Sequence, residues 1–147
     1  MSRSKRKSRE KHIQGKFVAL PNWMADTPAW HSLNPNARCV WFELMRRWKG
    51  PHGSNNGDLY LSSREAADFL NIGKGSAQRA FHELQDRGFI RITRPAGFEW
   101  RDGRRQRVAP RYAVTHEPVG GAPATKEFLT WQPLPAALCP GAHLAVA

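Results

Sequence analysis

The sequence has few of the features that mark secreted, membrane or zinc-binding proteins. Its two cysteines, Cys39 and Cys139, lie far apart without a C-x-x-C spacing, so neither a disulfide framework nor a zinc site is predicted. No apolar run approaches the ~20 residues that a membrane span needs. The first residues are basic and lack the apolar segment of a secretory signal. We therefore expect a reduced, cytoplasmic protein with no membrane partner.

Motifs of catalysis are also absent. The six histidines form no H-x-x-x-H or H-E-x-x-H pair, no acidic cluster suggests a divalent metal, and no G-x-S-x-G is present. The sequence GKGS at residues 73–76 lacks the preceding strand and the glycine spacing of a phosphate loop. We expect a protein that is not an enzyme, with no metal and no cofactor, and no motif indicates a small-molecule ligand.

Acidic residues are scarce, and the basic surplus is not spread evenly. The chain has 12 Asp and Glu against 23 Lys and Arg, a formal net charge of +11. Residues 1–16 hold seven Lys and Arg against Glu10, and residues 91–111 hold seven arginines against Glu99 and Asp102. A surplus confined to a terminal arm and one internal hairpin is the pattern expected of a protein that neutralises phosphates.

The length and composition predict one domain with tails. A chain of 147 residues that is 40% apolar and has six tryptophans can build a core. We predict a disordered basic arm over residues 1–16, a folded domain over residues 17–117, and a partly disordered extension rich in Pro, Gly and Ala over residues 118–147. The arm is either a solvated tail or a DNA-seeking segment whose contacts would come from Arg3, Lys5, Arg6 and Lys7. In the extension, the residues expected to dock on the domain are Phe128, Leu129 and Trp131.

The strongest helical pattern begins at Asn34 and Pro35, a capping residue followed by a proline suited to the first turn. Apolar residues then recur at spacings typical of one helix face: Ala37, Val40, Trp41, Leu44, Met45 and Trp48. Such a stripe is far more often core than the lining of a ligand pocket. We predict that this helix forms the centre of the core.

Two shorter helices are predicted after it, joined by a tight corner. Ser62 is expected to cap the first of them, with the Glu65 carboxylate bonding back to the Ser62 amide in a reciprocal capping box. Asn71 suits the corner because its short polar side chain tolerates a left-handed backbone, and Gly73 is an acceptable cap for the next helix. The first helix is expected to turn four residues inward: Ala66, Ala67, Phe69 and Leu70.

The second of these helices begins near Lys74, and Gly88 stands where a helix end favours a left-handed residue. Its core-facing residues have helical spacing: Ala77, Ala80, Phe81 and Leu84. The other side carries polar residues that suit DNA bases and phosphates, and we predict contacts from Lys74, Ser76, Gln78, Arg79 and His82. The N-terminal cap and first residues of the preceding helix are expected to add Ser62, Ser63 and Arg64.

The remaining pattern predicts a small antiparallel sheet and a hairpin. Residues 59–61 form a short strand, residues 89–93 alternate as a half-buried strand, and residues 108–115 are the expected return strand. Residues 94–107 are expected to form the hairpin tip, with its turn at Asp102 and Gly103. Its predicted DNA contacts are Arg101, Arg104, Arg105 and Arg107.

The pattern A-x-x-L-x-I-x-x-x-x-A-x-R-A-F-x-x-L-x-x-x-G-F-I, from Ala67 to Ile90, resembles the winged helix-turn-helix of bacterial regulators and of some plasmid and phage replication proteins. The resemblance covers roughly residues 33–115. It implies an α+β fold with a three-helix core, a small antiparallel sheet and a basic wing. It also implies a bacterial, cytoplasmic protein, held on the nucleoid by DNA, in which the helix over residues 74–87 enters the major groove.

We therefore predict sequence-specific binding of double-stranded DNA, with transcriptional regulation as the purpose. The resemblance keeps open a second purpose, initiation or control of replication or transfer on a plasmid, phage or integrated element. A protein-interaction module with incidental charge is a third hypothesis. Phe98 and Trp100 in the hairpin leave single-stranded nucleic acid or RNA open as a ligand. No heptad or extra helix specifies an oligomer, so a homodimer and a monomer both fit.

Overall fold

A computed structural model shows an α+β fold and describes residues 15–135. Residues 1–14 of the predicted basic arm, with Arg3, Lys5, Arg6 and Lys7, lie outside the described residues, as do residues 136–147. The helices are α1 (Asn22–Ala25), α2 (Pro28–Ser32), α3 (Pro35–Arg47), α4 (Ser63–Leu70) and α5 (Lys74–Asp86), with a short 3-10 helix at Glu127–Leu129. The strands are β1 (Leu59–Tyr60), β2 (Ile90–Arg94), β3 (Gly97–Arg101), β4 (Arg104–Val108) and β5 (Arg111–Val114).

Helix α3 lies at the centre of the core, as its apolar spacing predicts. Asn34 caps it by accepting a hydrogen bond from the Ala37 amide at 2.8 Å, and Pro35 fills the first turn. The predicted stripe is buried except at Trp48, which is half-buried at the helix end. Trp41 is fully buried, and its ring lies 5.3 Å from that of Trp30. Helix α3 packs against both α4 and α5, so three helices share one core.

Ser62 caps α4 as predicted, but the reciprocal half of the capping box is wrong. The Ser62 hydroxyl accepts a hydrogen bond from the Glu65 amide at 3.1 Å. The Glu65 carboxylate instead accepts one from Arg47 Nη2 at 2.8 Å. Arg47 also donates to the Tyr60 carbonyl at 2.9 Å and lies 3.6 Å from the Glu43 carboxylate. A charged partner on α3 therefore replaces the local amide, and Arg47 links α3, β1 and α4.

The predicted burial of Phe69 is also wrong. Its side chain is 57% exposed, whereas Ala66 and Ala67 are buried. Helix α4 has only eight residues and packs through its alanine face on α5, which leaves Phe69 on the uncovered side. The Arg46 guanidinium lies over the Phe69 ring, 5.8 Å from its centroid.

The corner between α4 and α5 has the predicted backbone. Asn71 is left-handed with φ of 53°, and Gly73 caps α5 in an extended conformation. All four residues of the predicted stripe on α5 are buried. Gly88 follows α5 with φ of +78°, and a Cβ there would lie 2.8 Å from the Glu127 Cβ. This position therefore needs glycine for its backbone and for the close approach of the 3-10 helix.

The predicted strands divide into two separate sheets. Strands β1, β5 and β2 form an antiparallel sheet in that order, with Leu59 opposite Tyr112 and Ile90 opposite Val114. Strands β3 and β4 form a hairpin of their own. The predicted single return strand over residues 108–115 is thus wrong, because Pro110 separates β4 from β5 and has no amide to continue a ladder.

Two sets of contacts between residues far apart in sequence complete the core. Phe128 is fully buried, and its ring stacks on that of Phe89 with centroids 4.7 Å apart. The buried Asn56 amide donates to the carbonyls of Val114, Glu117 and Pro118, and its oxygen accepts from the Val114 amide at 2.8 Å. Phe128 therefore docks on the core as expected, Trp131 packs partly against it, and Leu129 is half-exposed.

Candidate nucleic-acid interface

A cleft of about 400 Å³ lies between the beginnings of α4 and α5 and the base of the β3–β4 hairpin. It brings together six of the residues predicted to contact DNA: Ser62, Ser63, Arg64, Lys74, Gln78 and Arg107. Its other walls are Tyr60, Ala96, Val108, Ala109 and Pro110. All of its charged lining residues are cations, and they come from three separate stretches of sequence. The fold therefore assembles a positive concave surface that no single motif specifies.

Helix ends add to the positive potential of this cleft. Ser63 and Arg64 belong to the first turn of α4, and Lys74 is the first residue of α5. The first amides of a helix have no partner within the helix, and the macrodipole adds partial positive charge there. Two such ends at one cleft are suited to bind phosphate oxygens.

The other predicted residues of α5 lie beside the cleft rather than in its wall. Arg79 and His82 are exposed, and helical spacing places them on the outward side, opposite the buried stripe. Arg79 Nη2 donates to the Ser76 hydroxyl at 3.2 Å. The α5 surface is therefore divided into a cleft edge with Lys74 and Gln78 and an outward face with Arg79 and His82.

The predicted turn of the β3–β4 hairpin is present at Asp102 and Gly103. Both residues have positive φ, 52° and +70°. Consecutive left-handed residues give the two-residue turn that matches strand twist. The turn fixes the strand register from Arg101 opposite Arg104 down to Gly97 opposite Val108.

This register separates the four hairpin arginines into two pairs. Residues opposite each other in an antiparallel pair project to the same face, and neighbours along a strand project to opposite faces. Phe98 is opposite Arg107 and Trp100 is opposite Arg105, so these four residues share one face. The sequence did not predict this division. We call this surface the aromatic face.

The other face of the hairpin contains the only carboxylate of its two strands. Glu99, opposite Gln106, forms ion pairs with Arg94 and with Arg101, the latter at 3.3 Å. Arg104 lies on this face opposite Arg101. Part of the positive charge here is therefore neutralised within the protein, unlike that of the aromatic face. We call this surface the Glu99 face.

Sequence reasoning missed the apolar walls of the cleft. Tyr60 is 40% exposed, and the Arg111 guanidinium lies 5.1 Å from its ring centroid. The outward position of Tyr60 was readable from the alternation at residues 59–61, but its neighbours in space come from β4 and β5. The Ala109–Pro110 wall depends on the break between those strands, which sequence reasoning treated as continuous.

A second site of interest is His116, which is buried against the core. Burial, and secondarily the positive charge of Lys126, lower the pKa of His116 to about 4. Its ring lies 5.6 Å from that of Trp41. His116 is therefore neutral at physiological pH and belongs to the core rather than to the cleft.

Comparison with protein-family models, curated proteins and solved structures finds no significant match to this chain. Within residues 15–135, no helix has the length and apolarity to cross a membrane. The same residues contain no cluster of His, Cys, Asp and Glu suited to hold a metal ion.

Proposed function

We propose that this chain is a winged helix-turn-helix protein that binds double-stranded DNA in a sequence-specific manner. In this proposal α4 and α5 are the helix-turn-helix, the β3–β4 hairpin is the wing, and transcriptional regulation is the purpose. The cleft is the observation that supports the proposal best, because Arg64, Lys74 and Arg107 line it beside the N-terminal ends of α4 and α5. Such a surface suits a phosphate backbone running between the helix and the hairpin.

Gln78 at the cleft edge and Arg79 on the outward face of α5 then supply base recognition. Gln78 can pair with the N6 and N7 atoms of adenine, and Arg79 with the O6 and N7 atoms of guanine in the major groove. Gly75 is exposed in the first turn of α5, and nothing within 4 Å would contact a Cβ there, so DNA can approach this turn closely. Lys74 and Ser76 lie in the same turn and are suited to phosphates or base edges.

Selection of bound sequences from a random duplex pool tests the proposal. We expect a defined recognition sequence, and a palindrome in it would indicate a dimer with half-sites about one helical turn apart. Gln78→Ala and Arg79→Ala should each relax preference at one or two positions, with a loss of about 1–3 kcal/mol on the selected site and little loss on scrambled duplex.

Exposed residues elsewhere provide a matched control. Gln132→Ala removes an exposed glutamine that is neither in the cleft lining nor among the residues predicted to contact DNA, and should leave the selected sequence unchanged. If duplex DNA does not bind at low salt, the proposal is wrong and the protein-interaction module becomes the better hypothesis. If binding occurs without any sequence preference, the base-reading role of α5 is wrong.

A further inference from the structure

The aromatic face of the hairpin exposes two aromatic rings that are not part of the hydrophobic core. Trp100 is 75% exposed and Phe98 is 58% exposed, the two highest values among the aromatic side chains of the hairpin and the sheets. Both are on β3, outside the core that Trp41 and Phe89 occupy. Aromatic side chains with this much apolar surface in water commonly mark a binding surface.

The charges around these rings favour a nucleic acid over a protein as the occupant. The face carries two cations, Arg105 and Arg107, while the carboxylate of Glu99 lies on the opposite face. The Arg105 guanidinium lies over the Phe98 ring, 4.0 Å from its centroid. Rings and guanidinium groups on one strongly basic surface can bind bases by stacking and phosphates by charge at the same time.

The spacing of positions 98 and 100 along β3 fits flat bases. Residues two apart on one strand are about 7 Å apart along it, since each residue advances the strand by about 3.4 Å. Stacked bases are separated by about 3.4 Å along a strand, so the interval accommodates one base between the two positions. Stacking of this kind is available to any base, because every base has an aromatic face.

Unpaired bases suit this face better than paired ones. Insertion of a ring between the base pairs of a duplex requires unstacking, which costs a few kcal/mol for each step. An unpaired base has already lost that stacking, so its faces are open to Trp100 and, once Arg105 moves off the ring, to Phe98. Arg107 belongs to this face and also lines the cleft, so a strand that leaves the cleft would meet the rings next.

We propose that the aromatic face binds unpaired DNA bases next to the duplex held in the cleft, so that the protein prefers a junction between double-stranded and single-stranded DNA. This inference rests on the proposed function, because the cleft supplies the duplex contact. Preference for such a junction would also suit replication or transfer, the second purpose that the sequence leaves open, because strands separate at an origin or transfer site.

The test compares one blunt duplex with a fork of the same sequence that ends in short unpaired tails. Wild-type protein should bind the fork about 5- to 150-fold more tightly, the range that stacking of one base provides. Trp100→Ala should lower the affinity for the fork to that for the blunt duplex, and Trp100→Phe should retain part of the preference. Titrations that follow the anisotropy of labelled DNA measure all three proteins.

Phe69→Ala is the matched control for Phe98→Ala. Phe69 is 57% exposed, and an arginine lies over its ring, as over that of Phe98, but it is on α4. Phe98→Ala should reduce the fork preference, whereas Phe69→Ala should retain it. Melting temperatures of both variants confirm that the fold persists, since neither ring is buried.

Each remaining outcome decides a different point. If wild-type protein binds the blunt duplex and the fork equally, the inference is overturned while the proposed function stands. If Trp100→Ala weakens both DNAs equally, the ring contacts the duplex and the inference is overturned. A free RNA strand that binds as tightly as the fork would also overturn it. If wild-type protein binds no DNA of either kind, the proposed function itself fails.

Discussion

The β2–β5 pair and the β3–β4 hairpin are both antiparallel and similar in length, yet they differ in how far their residues are buried. In the first pair, Ile90, Tyr112 and Val114 are buried and continue the helical core. In the hairpin, nearly every residue is exposed, including Phe98 and Trp100. Packing explains the composition of β5, which is buried except at Arg111, and of Ile90 in β2, whereas it does not explain that of the hairpin. The hairpin therefore exposes aromatic and basic side chains that do not contribute to the core.

The largest expected effect compares a core tryptophan with a hairpin tryptophan. Trp41 is fully buried, so Trp41→Ala should destabilise the fold by roughly 3–5 kcal/mol through lost burial and the cavity left behind. Trp100→Ala should change stability by less than about 0.5 kcal/mol, because its ring is exposed. Urea titration of both variants measures the difference. Equal losses in the two variants would show that the hairpin is part of the core.

A second effect arises from the buried His116. Its pKa falls to about 4 on folding from an ordinary value of 6.5, so between these values the unfolded chain binds a proton that the folded chain does not. The contribution of His116 to stability is therefore fully present above pH 6.5 and is lost as the pH falls to about 4, a loss of about 3 kcal/mol. Burial raises the pKa of Glu117, which contributes with the opposite sign.

Urea titrations between pH 4 and pH 7.5 check this pH dependence. His116→Gln removes the titrating group and should flatten the profile across that window. His82→Gln is the matched control, because it makes the same replacement at an exposed histidine on α5. If His116→Gln has the same profile as the wild type, His116 does not cause the pH dependence and this prediction is wrong.

A third effect concerns the loop that precedes β1. The Asn56 side-chain amide donates hydrogen bonds to the end of β5 and to the chain after it, and its oxygen accepts one from the Val114 amide. Asn56→Ala should therefore lower stability by about 1–3 kcal/mol, because it leaves buried polar groups without hydrogen bonds. Asn55→Ala removes bonds to the Lys49 amide and the Arg47 carbonyl, which are less buried, and should cost less. Thermal melts of the two variants would contradict this ranking if Asn55→Ala were the more damaging.

The smallest expected effect is on the stability of hairpin variants. Arg105→Ala together with Arg107→Ala should shift the free energy of unfolding by no more than about 0.5 kcal/mol, because both side chains are exposed. Calorimetric melts of this double variant check the prediction. A loss as large as that of Asn56→Ala would mean that the arginines stabilise the fold, and the comparison between the two strand pairs would then fail.

Local chemistry made much of the fold predictable. Capping at Ser62, the left-handed backbone at Asn71 and Gly88, and the turn at Asp102 depend on a few adjacent residues, and the structure has all of them. The buried stripes of α3 and α5 followed from helical spacing alone. These features were predictable because their causes lie within a few residues of sequence.

Features that depend on distant residues were not predictable. Phe69 has helical spacing compatible with burial, but whether α3 or α5 covers it depends on how the helices pack. The partner of Glu65 was assigned to a local amide, whereas Arg47 lies eighteen residues away in sequence. The cleft was not predictable for the same reason, because Arg64 and Arg107 are far apart in sequence and line one cleft only in the folded chain.

Removal of the same charge from the two hairpin faces tests the DNA-binding proposal most directly. One double variant combines Arg105→Ala and Arg107→Ala, and the other combines Arg101→Ala and Arg104→Ala, with duplex affinity measured for each at several salt concentrations. The first should weaken binding and flatten the plot of log affinity against log salt by about 0.9 per lost phosphate contact. The second should have a clearly smaller effect, because its arginines share their face with Glu99. Equal effects of the two variants, or no effect of either, would contradict the proposal that the aromatic face of the hairpin binds DNA.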